Sequence, residues 1–123
     1  MAMLHEETTA LILEGCFEVA KELGAGFLEG VYEKALMIVL RGKGLSVKSQ
    51  VPLNVNFRGH VVGEYFADLL VDDKVVVELK AVKALTPEHQ AQVINYLKAT
   101  GYEVGLLVNF GSPRIEYKRL RRL

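Results

Sequence analysis

The sequence predicts a single α/β (α+β) domain in which helices flank a mixed sheet of four to five strands, in the order α-α-β-β-β-α-β-β. Three observations support this fold class. The N-terminal part of the chain carries two amphipathic helical patterns, and the middle changes to the period of two that is typical of strands. One further helix then separates the third strand from the fourth, which implies a mixed sheet covered by helices.

Length and composition are those of one globular domain that spans residues 1–123. Half of the residues are apolar and 24% are charged, which excludes a disordered chain. The single cysteine, Cys16, cannot form an intramolecular disulfide and fits a reducing compartment. No apolar run approaches the roughly 20 residues of a membrane span. Because the chain begins with acidic residues where a signal peptide would be basic, we expect a cytoplasmic protein without a membrane partner.

Two helices are predicted at the N-terminal end, at about 4–23 and 28–41, and glycines follow both of them. Apolar residues at helical spacing define the face that each helix buries. In the first helix this predicted stripe is Leu13, Cys16, Phe17, Ala20 and Leu23. In the second helix it is Tyr32, Ala35, Leu36, Val39 and Leu40. Cys16 is therefore expected to be a core residue and not a nucleophile.

The strands follow in three groups along the chain. Apolar residues alternate with polar ones over 51–57, which predicts a half-buried strand before a turn at 58–60. Residues 61–71 and 74–81 predict two more strands, and the second of these is apolar on both faces, which indicates a central position. The remaining predicted strands are 104–110 and a short edge strand at 114–118.

A helix is predicted between the third and fourth strands. Thr86 suits its N-cap, Pro87 suits its first position, and Gly101 ends it. The residues expected on its inner side are Ala91, Ile94, Leu97 and Lys98.

Charge is unevenly distributed although the net charge is zero. Residues 1–33 hold seven acids and one base, and the densest basic cluster is 118–122. Basic clusters attract phosphate backbones through counterion release, and the alternative interpretation is a solvated, frayed tail. Zero net charge argues against a constitutive nucleic-acid binder and leaves a transient one.

Polar side chains interrupt two of the most apolar predicted strands. Glu78 and Lys80 share one strand face because successive side chains alternate, and Asp68 interrupts the preceding strand. Two converging carboxylates repel each other, and a bound divalent cation such as magnesium removes that cost. The lysine could orient a water nucleophile or stabilise charge on a phosphorane. These residues therefore form a candidate divalent-metal site with a lysine beside it.

Whether the two carboxylates meet depends on the turn between their strands. A two-residue turn would put Asp68 and Glu78 on opposite faces of the sheet, whereas a three-residue turn at 72–74 would place them directly opposite each other on one face. We predict the three-residue turn or an equivalent bulge. An arrangement on opposite faces would exclude the metal site.

The spacing of Asp68 and the Glu78-Leu79-Lys80 segment resembles the PD-(D/E)XK nuclease superfamily, in which an acid on one strand joins an E-x-K on the next. Residues 26–32 (GFLEGVY) match the G-x-x-E-x-x-Y motif that names a small bacterial and archaeal family in that superfamily. Residues 92–96 (QVINY) are similar to the Q-x-x-x-Y motif of its exonuclease-like branch. The three motifs occur in the family's order. One departure is that Ala67 replaces the proline that often precedes the first acid.

The resemblance implies a restriction-endonuclease-like core and a role for each motif residue. Asp68 and Glu78 would bind magnesium or manganese, with Glu29 as an additional ligand and the carbonyl of Leu79 as a further one. Lys80 would be the catalytic lysine.

The resemblance also implies that Gln92 and Tyr96, one turn apart on a helix, would point at the site or at a substrate phosphate. His89 lies on the same helix face and is a candidate to join them. Each of these residues has a structural alternative, because a polar side chain on a helix surface needs no special function.

The sequence thus leads to a metal-dependent nuclease that acts on DNA or RNA and binds its nucleic acid transiently, with DNA favoured. The alternative is a catalytically silent adaptor of the same fold that binds nucleic acid or protein. Since 123 residues leave little room for specificity elements, a homo-oligomer or a larger assembly is plausible. A small-molecule enzyme is disfavoured because no glycine-rich phosphate loop follows a strand.

Overall fold

The computed structural model describes residues 3–123, and its elements follow the predicted order. The helices are α1 (Glu6–Leu23), α2 (Glu29–Gly42) and α3 (Pro87–Thr100). The strands are β1 (Val47–Phe57), β2 (His60–Val71), β3 (Val75–Lys80), β4 (Val104–Asn109) and β5 (Glu116–Arg121). The strands form one five-stranded sheet in chain order, with β1 and β5 at its edges. All neighbouring strands are antiparallel except β3 and β4, which are parallel, so the predicted mixed sheet is confirmed.

Two hydrophobic clusters cover the two faces of the sheet. One cluster packs α1 and α2 against Val77 and its same-face neighbours, and the other packs α3 against Val76. The central strand β3 is therefore covered on both faces, as its uninterrupted apolar sequence predicts. None of the helices within residues 3–123 combines the length and the apolar composition that a membrane span requires.

The buried face of α1 differs from the predicted stripe. Ile12, Cys16 and Val19 are fully or almost fully buried, whereas Phe17 is 48% exposed and Leu23 is exposed as well. The physical reason is Gly15, where an added Cβ would lie 2.7 Å from the side chain of Leu40. This close approach of α2 selects which side of α1 faces inward. The prediction that Cys16 is a core residue is confirmed, and burial raises the pKa of its thiol to about 12.

The N-terminal end of α3 has the predicted cap, while its inner face is shifted. The Thr86 hydroxyl accepts a hydrogen bond from the His89 amide at 3.3 Å, and Gly101 ends the helix at a φ of 86°. Val93 and Leu97 are the buried residues of this helix. The predictions that Ala91 and Lys98 face inward were wrong, because the helix packs on the sheet through positions 93 and 97.

The C-terminal basic cluster belongs to a strand and not to a frayed tail. Residues 118–121 lie in β5, where Arg119 donates to the carbonyl of Leu4 and Arg122, just beyond the strand, pairs with Glu103. Because β5 is antiparallel to β4, Arg121 pairs with the first residue of β4. The tail interpretation was therefore wrong.

Candidate functional site

The turn between β2 and β3 has the length that the site requires. Residues 72–74 form it, the first two of them have positive φ angles of 52° and 54°, and Val71 pairs directly with Val75. In this register Asp68 and Glu78 come to facing positions, one step beyond the last paired residues. The predicted three-residue turn is confirmed.

The Asp68 side chain lies where β2 and β3 stop pairing. Its Oδ2 accepts a hydrogen bond from the backbone amide of Leu79 at 2.8 Å. A carboxylate thus satisfies an amide of β3 at the point where the ladder to β2 ends. This hydrogen bond fixes the orientation of the carboxyl group and leaves its second oxygen, Oδ1, facing the site.

Glu78 carries a buried carboxyl group. Its Oε1 is buried and has no hydrogen-bond partner among residues 3–123. Burial, followed by the negative charge of Asp68, raises the pKa of Glu78 from 4.5 to about 8, and the charge of Lys80 opposes this shift. An unpartnered buried carboxylate oxygen beside a second carboxylate is costly unless a cation approaches it.

A cleft of about 180 Å³ opens beside Asp68 on the side of α2. Its lining residues are Glu29, Gly30, Glu33, Gln50, Asp68 and Leu79. The predicted site residues Glu29, Asp68 and Leu79 therefore share one cleft, while Glu78 and Lys80 are not among its lining residues. Sequence reasoning missed Glu33 and Gln50. The signal for Glu33 was available, because it lies one helical turn after Glu29.

Gln50 connects two of the acids in this cleft. Its Nε2 donates to Glu33 Oε1 at 2.7 Å and to Asp68 Oδ1 at 3.3 Å. Partial burial raises the pKa of Glu33, and the hydrogen bond from Gln50 opposes that shift.

The side chain of Tyr32 determines where α2 begins. The Tyr32 hydroxyl donates to the carbonyl of Gly24 at 2.6 Å and accepts from the amide of Phe27 at 3.2 Å. Its buried ring stacks on Phe110, with ring centroids 4.6 Å apart. The tyrosine of the G-x-x-E-x-x-Y segment thus holds the loop that precedes α2, and this fixes the start of the helix at Glu29.

Lys80 is the last residue of β3, and the segment after it is held tightly. The carbonyl of Lys80 accepts from the Phe110 amide at 2.8 Å. The fully buried Asn109 donates to the carbonyl of Val82 at 2.9 Å and to Glu116 at 2.9 Å, and it accepts from the Val82 amide at 3.0 Å. Within the described part of the chain the Lys80 ammonium group makes no ion pair.

Gln92 and Tyr96 contact each other, and Tyr96 contacts Tyr65, a residue that sequence reasoning missed. Gln92 Nε2 donates to the Tyr96 hydroxyl at 2.9 Å, and the Tyr96 ring stacks on Tyr65 with centroids 3.4 Å apart. The Tyr65 hydroxyl is buried without a partner in residues 3–123. Burial and then the charge of Glu78 raise the pKa of Tyr65.

His89 does not join this group. Its Nδ1 accepts a hydrogen bond from the Thr86 amide at 3.0 Å, which completes the N-terminal cap of α3. The expectation that His89 joins Gln92 and Tyr96 was wrong, because the histidine ring serves the helix end.

The donor set, which consists of oxygens, fits magnesium or manganese better than a metal that prefers sulfur or imidazole ligands. Residues 3–123 contain no cluster of three or more His, Cys, Asp or Glu side chains with metal-binding geometry. Magnesium is often held by one or two carboxylates together with water. Asp68 and Glu78 occupy facing positions and supply carboxylates of this type, and the unpartnered oxygen of Glu78 would gain a partner.

Comparisons with known proteins identify the family and support the fold. The profile of the PD-(D/E)XK nuclease superfamily matches residues 6–121. The structure is similar to the crystal structure of SSO0001, with a TM-score of 0.60 and 24% sequence identity. This match covers 76% of the present chain and 50% of the other, so the chain spans half the length of SSO0001, and the likeness shows the fold. A comparison with curated proteins finds no match.

Proposed function

Because this chain belongs to the PD-(D/E)XK nuclease superfamily, we propose that it is a metal-dependent nuclease that hydrolyses phosphodiester bonds of DNA or RNA. The observation that carries the proposal is the buried, unpartnered Oε1 of Glu78 next to Asp68. A site that only needed to be stable would gain by replacing this carboxyl group with an apolar side chain. Its presence is explained by a ligand that supplies positive charge.

The proposed roles follow from the positions of the side chains. Asp68, Glu78 and the carbonyl of Leu79 would hold magnesium or manganese, and Glu29 would approach from the other side of the cleft. When bound, the cation supplies positive charge that stabilises the negative charge on the phosphoryl group. Lys80, which has no ion-pair partner in residues 3–123, would hold the attacking water or a phosphoryl oxygen.

The other motif residues would bind the substrate. Gln92 donates a hydrogen bond to Tyr96, whose ring stacks on Tyr65. Gln92 and Tyr96 would contact a phosphate or a base of the nucleic acid. The arrangement of Tyr32 and Glu29 also supports our proposal that the chain belongs to the G-x-x-E-x-x-Y branch of the superfamily.

The test compares Lys80→Ala with Lys98→Ala, a matched control at the exposed C-terminal end of α3. Purified proteins are incubated with labelled DNA and RNA in magnesium or manganese, and in the presence of a chelator. We expect wild type and Lys98→Ala to cleave one of the nucleic acids, and Lys80→Ala to lose on the order of 100-fold or more in rate, as happens when one charge-stabilising donor is removed.

Two results would contradict the proposal. Equal cleavage by Lys80→Ala and wild type would show that the activity does not come from this site. A wild-type protein that binds neither magnesium nor manganese at millimolar concentration would favour the non-catalytic adaptor. Circular dichroism of each variant confirms that the fold persists.

A further inference from the structure

The β1–β2 hairpin is interrupted at one position that faces the cleft. Gln50 has a left-handed backbone conformation with a φ of 50° in the interior of β1. The ladder pairs Ser49 with Leu69 and Val51 with Ala67, but it omits Gln50 and Asp68, which lie between these pairs. Non-glycine residues adopt this conformation rarely, and it costs about 1 kcal/mol or more. The two residues therefore form a paired break in the hairpin, separate from the shift of register between Val55 and Asn56.

The paired break exchanges the two faces of the hairpin. Val47 and Leu69 pack in the cluster under α1 and α2, whereas Leu53 and Ala67 pack in the cluster under α3. In a regular strand, residues that are an even number of positions apart lie on the same face. Since these pairs do not, both strands reverse their faces at the break. Gln50 and Asp68 consequently leave the alternation of the sheet, and both line the cleft.

The hydrogen bonds at the break divide the two oxygens of Asp68 between different donors. Oδ2 is taken by the Leu79 amide at 2.8 Å, which already orients the carboxylate. Oδ1 is the oxygen that remains for a cation, and the amide group of Gln50 lies against it at 3.3 Å. The same Nε2 is held at 2.7 Å by Glu33. The neutral N–H group of Gln50 thus occupies the position beside Oδ1 that a bound cation would take.

We propose that Gln50 restrains metal loading, because its amide competes with the cation for Asp68 Oδ1. This inference rests on the proposed metal-dependent function and adds a determinant of metal affinity. Gln50 is not needed to orient Asp68, since the Leu79 amide does so. Its own placement depends on the left-handed backbone and on the short hydrogen bond to Glu33.

The expected change in manganese affinity follows from the hydrogen bond between Gln50 and Asp68, which the cation must replace. The bond from Gln50 to Asp68 is long and exposed, so it contributes less than a buried bond to a charged group. Removing the amide is expected to tighten manganese binding by roughly threefold to tenfold. A residue that only supported the hairpin would change stability and leave this affinity unchanged.

The experiment measures manganese binding to the full chain by isothermal titration calorimetry, with no nucleic acid present. Wild type is compared with Gln50→Ala, Gln50→Gly and the control Asn54→Ala, which changes an exposed residue of the same strand. Both Gln50 variants are expected to bind manganese more tightly by the same factor, because both lack the amide. Gln50→Gly should melt at a higher temperature than Gln50→Ala, because glycine adopts the left-handed conformation without strain. The control should match wild type in affinity.

The outcomes separate this inference from the function on which it rests. If wild type binds manganese and both Gln50 variants bind it equally or more weakly, the inference is overturned while the metal site stands. If only Gln50→Gly binds more tightly, the backbone and not the amide sets the affinity, and the inference is overturned as well. If wild type binds no manganese at millimolar concentration, the proposed metal-dependent function fails, and this inference fails with it.

Discussion

The carboxyl group of Glu78 opposes folding at neutral pH. Its pKa is raised from 4.5 to about 8, mainly by burial and then by Asp68. Between these two values the folded chain binds more protons than the unfolded chain, so stability falls as the pH rises through this window. A shift of this size corresponds to a few kcal/mol, at about 1.4 kcal/mol per pKa unit. Metal binding would offset the cost at the pH where Glu78 is ionised.

Glu78→Gln should therefore remove most of this pH dependence. The amide has nearly the same shape and does not ionise, so we expect the metal-free variant to be more stable than wild type at pH 8 and similar to it near pH 4.5. Urea denaturation followed by circular dichroism at several pH values measures the difference. An identical slope of stability against pH in the two proteins would show that Glu78 ionises normally.

At the residue scale, the two candidate acids could be predicted from the sequence, whereas the residues that surround them could not. Asp68 and Glu78 could be predicted because charged residues stand out in apolar strands, and the turn length fixed their register. Gln50 and Tyr65 could not, because their roles depend on contacts with residues far away in the chain. The left-handed backbone of Gln50 in particular has no local signal, since it arises only where β1 meets Asp68.

The loop after β3 and the start of the β4–β5 connection depend on one glycine. A Cβ on Gly111 would lie 2.3 Å from both the backbone nitrogen and the backbone oxygen of Val82. Backbone atoms have less freedom to move than a side-chain end, and here they are also held by the buried amide of Asn109. The element that carries Lys80 is therefore fixed to the adjacent strand by close packing as well as by hydrogen bonds.

Gly111→Ala should lower the free energy of unfolding by about 3 kcal/mol, the upper end of the range for overpacking. The matched control is Gly63→Ala, where the new Cβ would lie 3.7 Å from Val55 in ordinary contact. That control should change stability by no more than about 0.5 kcal/mol. Urea denaturation measures both. Equal stability of the two variants would contradict the packing argument.

At the element scale, helix ends were predictable and helix orientation was not. Thr86 and Gly101 act within one turn of chain, so their roles at the ends of α3 could be derived from the sequence. The buried face of α1 depends on Gly15 and on how closely α2 approaches it. Two residues of the predicted α1 stripe, Phe17 and Leu23, are consequently exposed.

The densest positive charge of the molecule extends along β5 away from the candidate active site, from Lys118 opposite Leu107 to Arg121 opposite Val104. Lys80 ends β3 next to Asn109, whereas Arg121 pairs with Val104 at the opposite end of β4. These ends are five residue steps apart along β4, which is about 16 Å at 3.3 Å per step. Neighbours in the basic cluster also point to opposite sheet faces. The cluster is therefore not one continuous surface beside the site, which the sequence alone could not show.

Nucleic-acid binding should accordingly depend on basic side chains of the protein that lie near Lys80. Lys83 is exposed in the loop that follows Lys80, so Lys83→Ala should weaken DNA binding and reduce the slope of log K against log[salt] by about 0.9, the value for one phosphate contact. Arg121→Ala is the matched comparison and should leave the slope unchanged. Fluorescence anisotropy with labelled DNA at several salt concentrations, without divalent metal, measures both. A larger change in Arg121→Ala would show that the far end of the sheet contacts the substrate.

The paired break at Gln50 and Asp68 also has a consequence for how the chain folds. A regular hairpin can slip by one residue, and every side chain then moves to the wrong face. Here a slipped alignment would place the left-handed residue of β1 opposite a regular residue of β2, and the irregularities would no longer coincide. Only one alignment accommodates both, so the residues that shape the cleft also protect the growing chain from a mispaired hairpin.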